Sequence, residues 1–176
     1  MYEAAAIPDP IPITLILGGA RSGKSRHAEQ LLTRHPPPWT YVATAQPFDG
    51  EMQARIDEHR ARRGDGWRTV EAPVDLAWAL LLEPEAPVLV DCLTLWLTNL
   101  MLGDHEIAPA VDALEAALAG RRAPTILVGS EVGLGIVPET KLGRAFRDEA
   151  GRLHQRLAAG ADRVLFMVAG LPMIVK

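Results

Sequence analysis

The feature that most constrains this chain is the run Ile13-Thr14-Leu15-Ile16-Leu17-Gly18-Gly19-Ala20-Arg21-Ser22-Gly23-Lys24-Ser25. Its first five residues read as a buried strand, the next six as a glycine turn, and Lys24-Ser25 as the start of a helix. Residues 18–25 fit G-x-x-x-x-G-K-[ST], the phosphate-binding P-loop. Gly18, Gly19 and Gly23 let the backbone turn with its N–H groups pointing inward on a phosphate, and Ala20, Arg21 and Ser22 complete that cradle. The helix opening near Lys24 adds the positive end of its dipole. Lys24 is spaced to reach the β- and γ-phosphates, and the Ser25 hydroxyl to bind Mg²⁺.

The rest of the chain supplies a sheet around that loop. The first helix runs on to Arg34 and stops at Pro36-Pro37-Pro38; Trp39–Thr44 is a second strand. Strand, helix and strand this close predict a right-handed βαβ unit and a parallel sheet. Asp49–Arg63 reads as a charged helix with Met52, Ile56, His59 and Arg63 on one face. Trp67–Glu71 is a short strand, Leu76–Leu82 a short helix stopped by Pro84 and Pro87, and Val88–Asp91 a buried strand ending in a carboxylate. Leu93–Leu102 is a helix apolar on most sides, a candidate subunit contact. Ile107, Val111, Leu114 and Leu118 mark the next helix, with Gly120 as its stop. Thr125–Val128 is another core strand, and the glycines of Gly129–Pro138 predict a loop over the ligand edge. Leu142, Phe146, Ala150, Leu153 and Leu157 stripe a long helix; Arg163–Val168 and Met173–Val175 close the sheet around Gly170-Leu171-Pro172. The expectation is one α/β domain over 13–176, preceded by a proline-bearing, extended lead-in over 1–12.

Composition narrows the function classes. A net charge of −4 gives no broad electrostatic footprint for nucleic acid. The single cysteine, Cys92, cannot pair within the chain. No apolar run reaches about 18 residues, so no membrane span is expected, and the first residues lack a signal-peptide pattern. These readings together point to a cytoplasmic protein.

Two side chains stand out beyond the P-loop. Asp91 ends an apolar strand, where a carboxylate can hold Mg²⁺ opposite Ser25 or cap the following helix. His59 follows Met52 and Ile56 on the inward stripe, with Arg55, Arg60, Arg62 and Arg63 nearby. A neutral imidazole among guanidiniums can attack an α-phosphate, while the arginines offset charge on the phosphoryl oxygens. A histidine bordering an amphipathic helix is also an ordinary structural residue. His27, His35, His105 and His154 read as solvated or hydrogen-bonding structural residues, and no pair of histidines has zinc-ligand spacing.

At this point the chain resembles the bifunctional adenosylcobinamide kinase / adenosylcobinamide-phosphate guanylyltransferase family of adenosylcobalamin (vitamin B12 coenzyme) biosynthesis. The resemblance runs from about Ile13 to Lys176. It is carried by Gly18–Glu29, Tyr41–Ala45, Glu51-Met52, Arg55-Ile56, His59-Arg60 and Trp67–Glu71. It continues through Asp91–Thr94, Thr98–Leu100, Glu131–Pro138, Phe146–Asp148, Gly151-Arg152, Gln155–Ala159 and Gly170–Pro172. Where some relatives place a second histidine just before the nucleophile, this chain has Glu58; where some have Glu at the metal-binding strand end, it has Asp91.

The resemblance implies a RecA-like P-loop domain that assembles as a homotrimer. It implies phosphorylation of adenosylcobinamide by ATP or GTP, then GMP transfer from GTP to the resulting phosphate, giving adenosylcobinamide-GDP and pyrophosphate. It implies that the GMP passes through a covalent bond to histidine, which is His59 by position. Nucleotide contacts are implied at Thr44, Ala45 and Gln46, at Arg60, Arg62 and Arg63, at Glu71 and at Asp91. A carboxylate such as Glu71 can accept hydrogen bonds from guanine N1–H and N2–H₂, or from ribose hydroxyls. Two other readings are a plain P-loop kinase or NTPase with a structural His59, and a RecA-like module without its own chemistry.

Overall fold

The computed structural model describes residues 13–46, 50, 54, 57, 60, 61 and 63–176. The apolar run before the P-loop is β1 (Ile13–Gly18), and the helix leaving it is α1 (Lys24–Leu32). Next come β2 (Trp39–Ala43), β3 (Trp67–Glu71), α2 (Leu76–Leu81), β4 (Val88–Asp91) and α3 (Leu93–Leu102). The chain continues through α4 (Ile107–Ala119), β5 (Thr125–Ser130) and α5 (Lys141–Gly160), and closes with β6 (Arg163–Val168) and β7 (Leu171–Ile174). Residues 50, 54, 57, 60 and 61 are helical, as read from the sequence. Met52, Ile56 and His59 of the proposed inward face, and the 1–12 lead-in, lie outside the described residues.

The strands form one sheet in the order β3-β2-β4-β5-β1-β6-β7. Every neighbouring pair is parallel except β6 and β7, which form an antiparallel hairpin. The sheet is mostly parallel as expected, and β1 and β2 run parallel with β4 and β5 lying between them. Val88-Leu89-Val90 and Ile126-Leu127-Val128 are continuous apolar runs, which need both faces covered and so occupy the centre of the sheet.

Strand alternation sorts the core into two layers. Ile16, Leu89, Ile126, Val128, Leu165 and Met167 face α1, which buries Ala28 and Leu32 against them. Leu15, Val42, Val90, Leu127 and Val164 face the opposite way, under α2, α3, α4 and α5. The α5 stripe behaves as read at Ala150, Leu153 and Leu157, which are buried, but Leu142 is 54% exposed. A helix of 20 residues extends about 30 Å, whereas a six-residue strand such as β5 covers only about 20 Å. The first turns of α5 therefore project past the sheet.

At the amino end of the sheet, Arg121 is buried and replaces a conventional apolar plug. Its guanidinium donates to Thr125 Oγ1 at 2.6 Å, to the Leu80 carbonyl at 2.6 Å and to the Glu83 carbonyl at 3.2 Å, and also to the Ala86 carbonyl. Burial lowers its pKa to about 10, still well above neutrality.

Candidate active site

The sheet register collects the chemistry at one edge. Gly18 of β1 pairs with Ser130, Val128 of β5 with Asp91, and Asp91 with Ala43 of β2, which pairs with Glu71. The carboxyl ends of five parallel strands thus finish together. Neighbouring strands lie about 4.8 Å apart, so β5, β4 and β3 stand about 5, 10 and 19 Å from β1.

The P-loop itself is held from two sides. A Cβ on Gly18 would lie 2.7 Å from Ser22 Oγ and 2.8 Å from the Met167 carbonyl oxygen, so only glycine fits against β6. Gly23 caps α1 with φ of 91°, a left-handed conformation that suits glycine. The tip of the β6–β7 hairpin, Ala169-Gly170, has positive φ at both residues, as a two-residue turn requires. That tip reaches back to the loop: Gly170 N–H donates to the Ser22 carbonyl at 3.1 Å.

Lys24 is 9% exposed, and its Nζ donates to the Gly19 carbonyl at 2.8 Å. Burial lowers its pKa, while the nearby Cys92 thiol and Asp91 carboxylate act to raise it. The Ser22 hydroxyl is buried without a hydrogen-bond partner among the described residues. The amino end of α1 has no side-chain cap and no acidic residue in its first turn. Its positive end is therefore uncompensated, and together these features fit an anion in the loop.

Asp91 accepts a hydrogen bond from Tyr41 Oη at 3.2 Å. Burial first, and then the Asp91 charge, push the Tyr41 pKa well above its ordinary value, so the phenol stays a donor. The Arg63 guanidinium lies over the Tyr41 ring, 3.5 Å from its centroid, and its Nη1 is buried without a hydrogen-bond partner among the described residues. Farther out, Arg60 Nη2 approaches Glu71 Oε1 at 3.8 Å, with both side chains largely exposed. Among the described residues no group of three or more His, Cys, Asp or Glu side chains could hold a metal. A hydroxyl such as that of Ser25 and a carboxylate such as that of Asp91 are oxygen donors of the kind that Mg²⁺ shared with phosphates takes.

Comparison with known proteins places the chain in a family. The family described as cobinamide kinase / cobinamide phosphate guanyltransferase matches residues 14–175. The bifunctional adenosylcobalamin biosynthesis protein CobP of Pseudomonas aeruginosa is 54% identical, over 92% of this chain and 96% of its own. The chain belongs to the cobinamide kinase / cobinamide phosphate guanyltransferase family. The bifunctional adenosylcobalamin biosynthesis proteins CobU of Salmonella typhimurium and Escherichia coli are 41% and 42% identical, each over 92% of this chain and 98% of theirs. The fold also resembles a type III secretion system ATPase, with a TM-score of 0.55 and 11% identity. The match takes in 89% of this chain and about half (51%) of that ATPase, and the sheet is accordingly that of a RecA-like P-loop domain.

For this member of the cobinamide kinase / cobinamide phosphate guanyltransferase family, the structure brings Gly18–Ser25, Ala45, Gln46, Arg63, Glu71 and Asp91 to one sheet edge, with Arg60 beside Glu71. His59 and Arg62 lie outside the described residues. Thr44 is built into the fold at the end of β2. It is fully buried, its hydroxyl donates to the Cys92 carbonyl and accepts from the Cys92 N–H, both at 2.8 Å, and its own carbonyl accepts from Asn99 Nδ2 at 2.8 Å. Through these bonds Thr44 fixes the backbone just after Asp91. Asn99 also donates to the Pro73 carbonyl at 2.9 Å, tying the ends of β2 and β3 to α3. A buried amide in an otherwise apolar helix was the sequence signal for that role.

Proposed function

We propose that this one edge carries both steps of adenosylcobalamin biosynthesis named by the family. A nucleoside triphosphate first phosphorylates adenosylcobinamide, and GTP then gives GMP to adenosylcobinamide-phosphate, yielding adenosylcobinamide-GDP and pyrophosphate. The carrying observation is the convergence of the P-loop, Asp91, Arg63 and Glu71 at one sheet edge in a chain matched along nearly its whole length.

In the first step the loop backbone and the α1 amino end bind the phosphates. Lys24 leaves the Gly19 carbonyl for the β- and γ-phosphate oxygens, a short move for a side chain already in the cradle. Ser25 and Asp91 would hold Mg²⁺, which would offset charge on the triphosphate. In the second step the His59 imidazole attacks the α-phosphorus; a P–N bond forms, the bond to the β-phosphate oxygen breaks, and pyrophosphate leaves. An oxygen of adenosylcobinamide-phosphate then attacks the same phosphorus and the P–N bond breaks, freeing His59. Arg60, Arg62 and Arg63 offset phosphoryl charge; the Nη1 of Arg63, without a hydrogen-bond partner among the described residues, supports that role. Glu71 reads guanine or ribose at the far end of the edge.

The protein acts in the cytoplasm as a homotrimer in this reading. No helix among the described residues is long and apolar enough to cross a membrane. Leu134, Ile136 and Val137 present exposed apolar surface beside the site, as a subunit contact requires. The test is to incubate the protein with adenosylcobinamide, Mg²⁺ and ATP or GTP and follow the corrinoid by mass. A gain of phosphate followed by a gain of GMP is expected, with both lost in Lys24→Ala. An unmodified corrinoid with intact nucleotide binding would overturn the reading.

A further inference from the structure

We propose that Glu131 is the general base of the phosphorylation step, taking the proton of the acceptor hydroxyl as it attacks the γ-phosphorus. The proposal rests on the kinase half of the reading above and supplies the residue that neither the P-loop nor Asp91 provides.

Three carboxylates stand at the ends of the strands that finish on this edge: Glu71 on β3, Asp91 on β4 and Glu131 just after β5. Their places in the sheet rank them. Glu131 follows the strand adjoining β1, about 5 Å away laterally, while Glu71 is four strands off, about 19 Å. The Glu131 N–H donates to the Gly18 carbonyl at 2.9 Å, continuing the β1–β5 ladder and fixing this residue against the first residue of the P-loop.

Alternation separates the two nearer acids by face. Leu89 packs on the α1 side, so Asp91, two residues on, leaves the sheet on that side with Ser25. Leu127 packs on the opposite side, and a Cβ on Gly129 would lie 2.9 Å from His154 Nε2 on α5. Glu131 therefore leaves on the α5 side, where its Oε2 lies 3.9 Å from His154 Nδ1. Asp91 accepts from Tyr41 on the α1 side, whereas Glu131 stands beside the first residue of the loop on the other surface. In this proposal the acceptor hydroxyl enters on the Glu131 face, opposite the face on which Asp91 leaves the sheet.

The carboxylate is held for this task. Its Oε1 accepts the Gly133 N–H, and the Gly133 carbonyl in turn accepts from Arg147 Nη2 at 2.9 Å. The buried His154 ring stops the carboxylate turning inward, and at 3.9 Å it leaves Oε2 lone pairs unspent. The Glu131 side chain remains 22% exposed, so it is reachable from the edge. In the step, the acceptor O–H bond breaks and its proton passes to Oε2. The oxygen bonds to the γ-phosphorus, and the bond to the β-phosphate oxygen breaks with its electron pair leaving on the nucleoside diphosphate. Glu131 then returns its proton to solvent.

The experiment measures the two reactions separately in the parent protein, Glu131→Gln and Glu131→Ala. Phosphorylation is followed with γ-labelled nucleotide and adenosylcobinamide; GMP transfer is followed with GTP and adenosylcobinamide-phosphate prepared beforehand. Phosphorylation should fall roughly 10²–10⁴-fold in both variants, with GMP transfer within about threefold of the parent, and added formate should restore part of the phosphorylation rate in Glu131→Ala. Phosphorylation within tenfold of the parent in Glu131→Gln would overturn the proposal. So would parallel loss of both reactions without formate rescue, the signature of a mere loop anchor. A parent protein that phosphorylates nothing would instead bring down the kinase reading itself.

Discussion

Replacing Gly18 by alanine tests whether the P-loop is shaped by β6 as well as by its own glycines. The added Cβ would lie 2.7 Å from Ser22 Oγ, 2.8 Å from the Met167 carbonyl oxygen and 3.0 Å from Met167 Cβ. The serine can rotate. The Met167 carbonyl cannot, because it belongs to the strand paired with β1 at this position. Inserting a methyl group into such a site costs about 1–3 kcal/mol. At about 2–4 °C per kcal/mol for a chain of this size, Tm should fall by roughly 2–12 °C. Gly19→Ala is the internal control: a Cβ there meets nothing within 4 Å, so its stability should stay within about 0.5 kcal/mol of the parent. Both are measured by thermal unfolding without nucleotide. A Gly18→Ala protein that melts with the parent, or a Gly19→Ala protein that melts lower than Gly18→Ala, would refute the packing argument.

Three further outcomes follow from the same geometry. Arg121→Met strands the carbonyls of Leu80, Glu83 and Ala86 in a buried place, so unfolding free energy in urea should drop by about 3 kcal/mol. Thr44→Val keeps the shape but removes both hydrogen bonds to Cys92; a loss of about 2 kcal/mol and a larger fall in turnover than in stability are expected, because the backbone beside Asp91 loosens. His154 and His27 have pKa values lowered chiefly by burial, so the unfolded chain binds more protons below about pH 6.5. Stability should be full above that pH and decline as pH falls through the folded values, and His154→Gln should flatten the decline in a pH series of Tm measurements.

Much of this was legible because local chemistry and global fold agree. The strand–glycine–helix pattern at Ile13–Ser25 placed β1, the loop and α1, and the apolar run Val88–Val90 placed Asp91 at a strand end. Sheet order was not legible. A helix between β1 and β2 is compatible with neighbouring or separated strands, and the choice went to the runs that bury both faces. The prop from Gly170 to Ser22 was hidden for a related reason, since it exists only once β6 pairs with β1. Thr44 and Glu131 take places in the fold that their local sequence does not show. One sits in a recognisable segment but is fully buried, while the other, in a glycine loop, is tied to Gly18 by a contact spanning more than a hundred residues.

The central claim is that one P-loop edge serves a covalent GMP transfer through His59. The direct measurement incubates the protein with Mg²⁺ and GTP labelled at the α-phosphate, denatures it, and looks for label on the chain, beside His59→Ala. Label that is acid-labile, base-stable and absent from His59→Ala is the predicted result. No label on the parent with GTP binding intact would contradict the covalent mechanism, and label persisting in His59→Ala would contradict the assignment of the nucleophile.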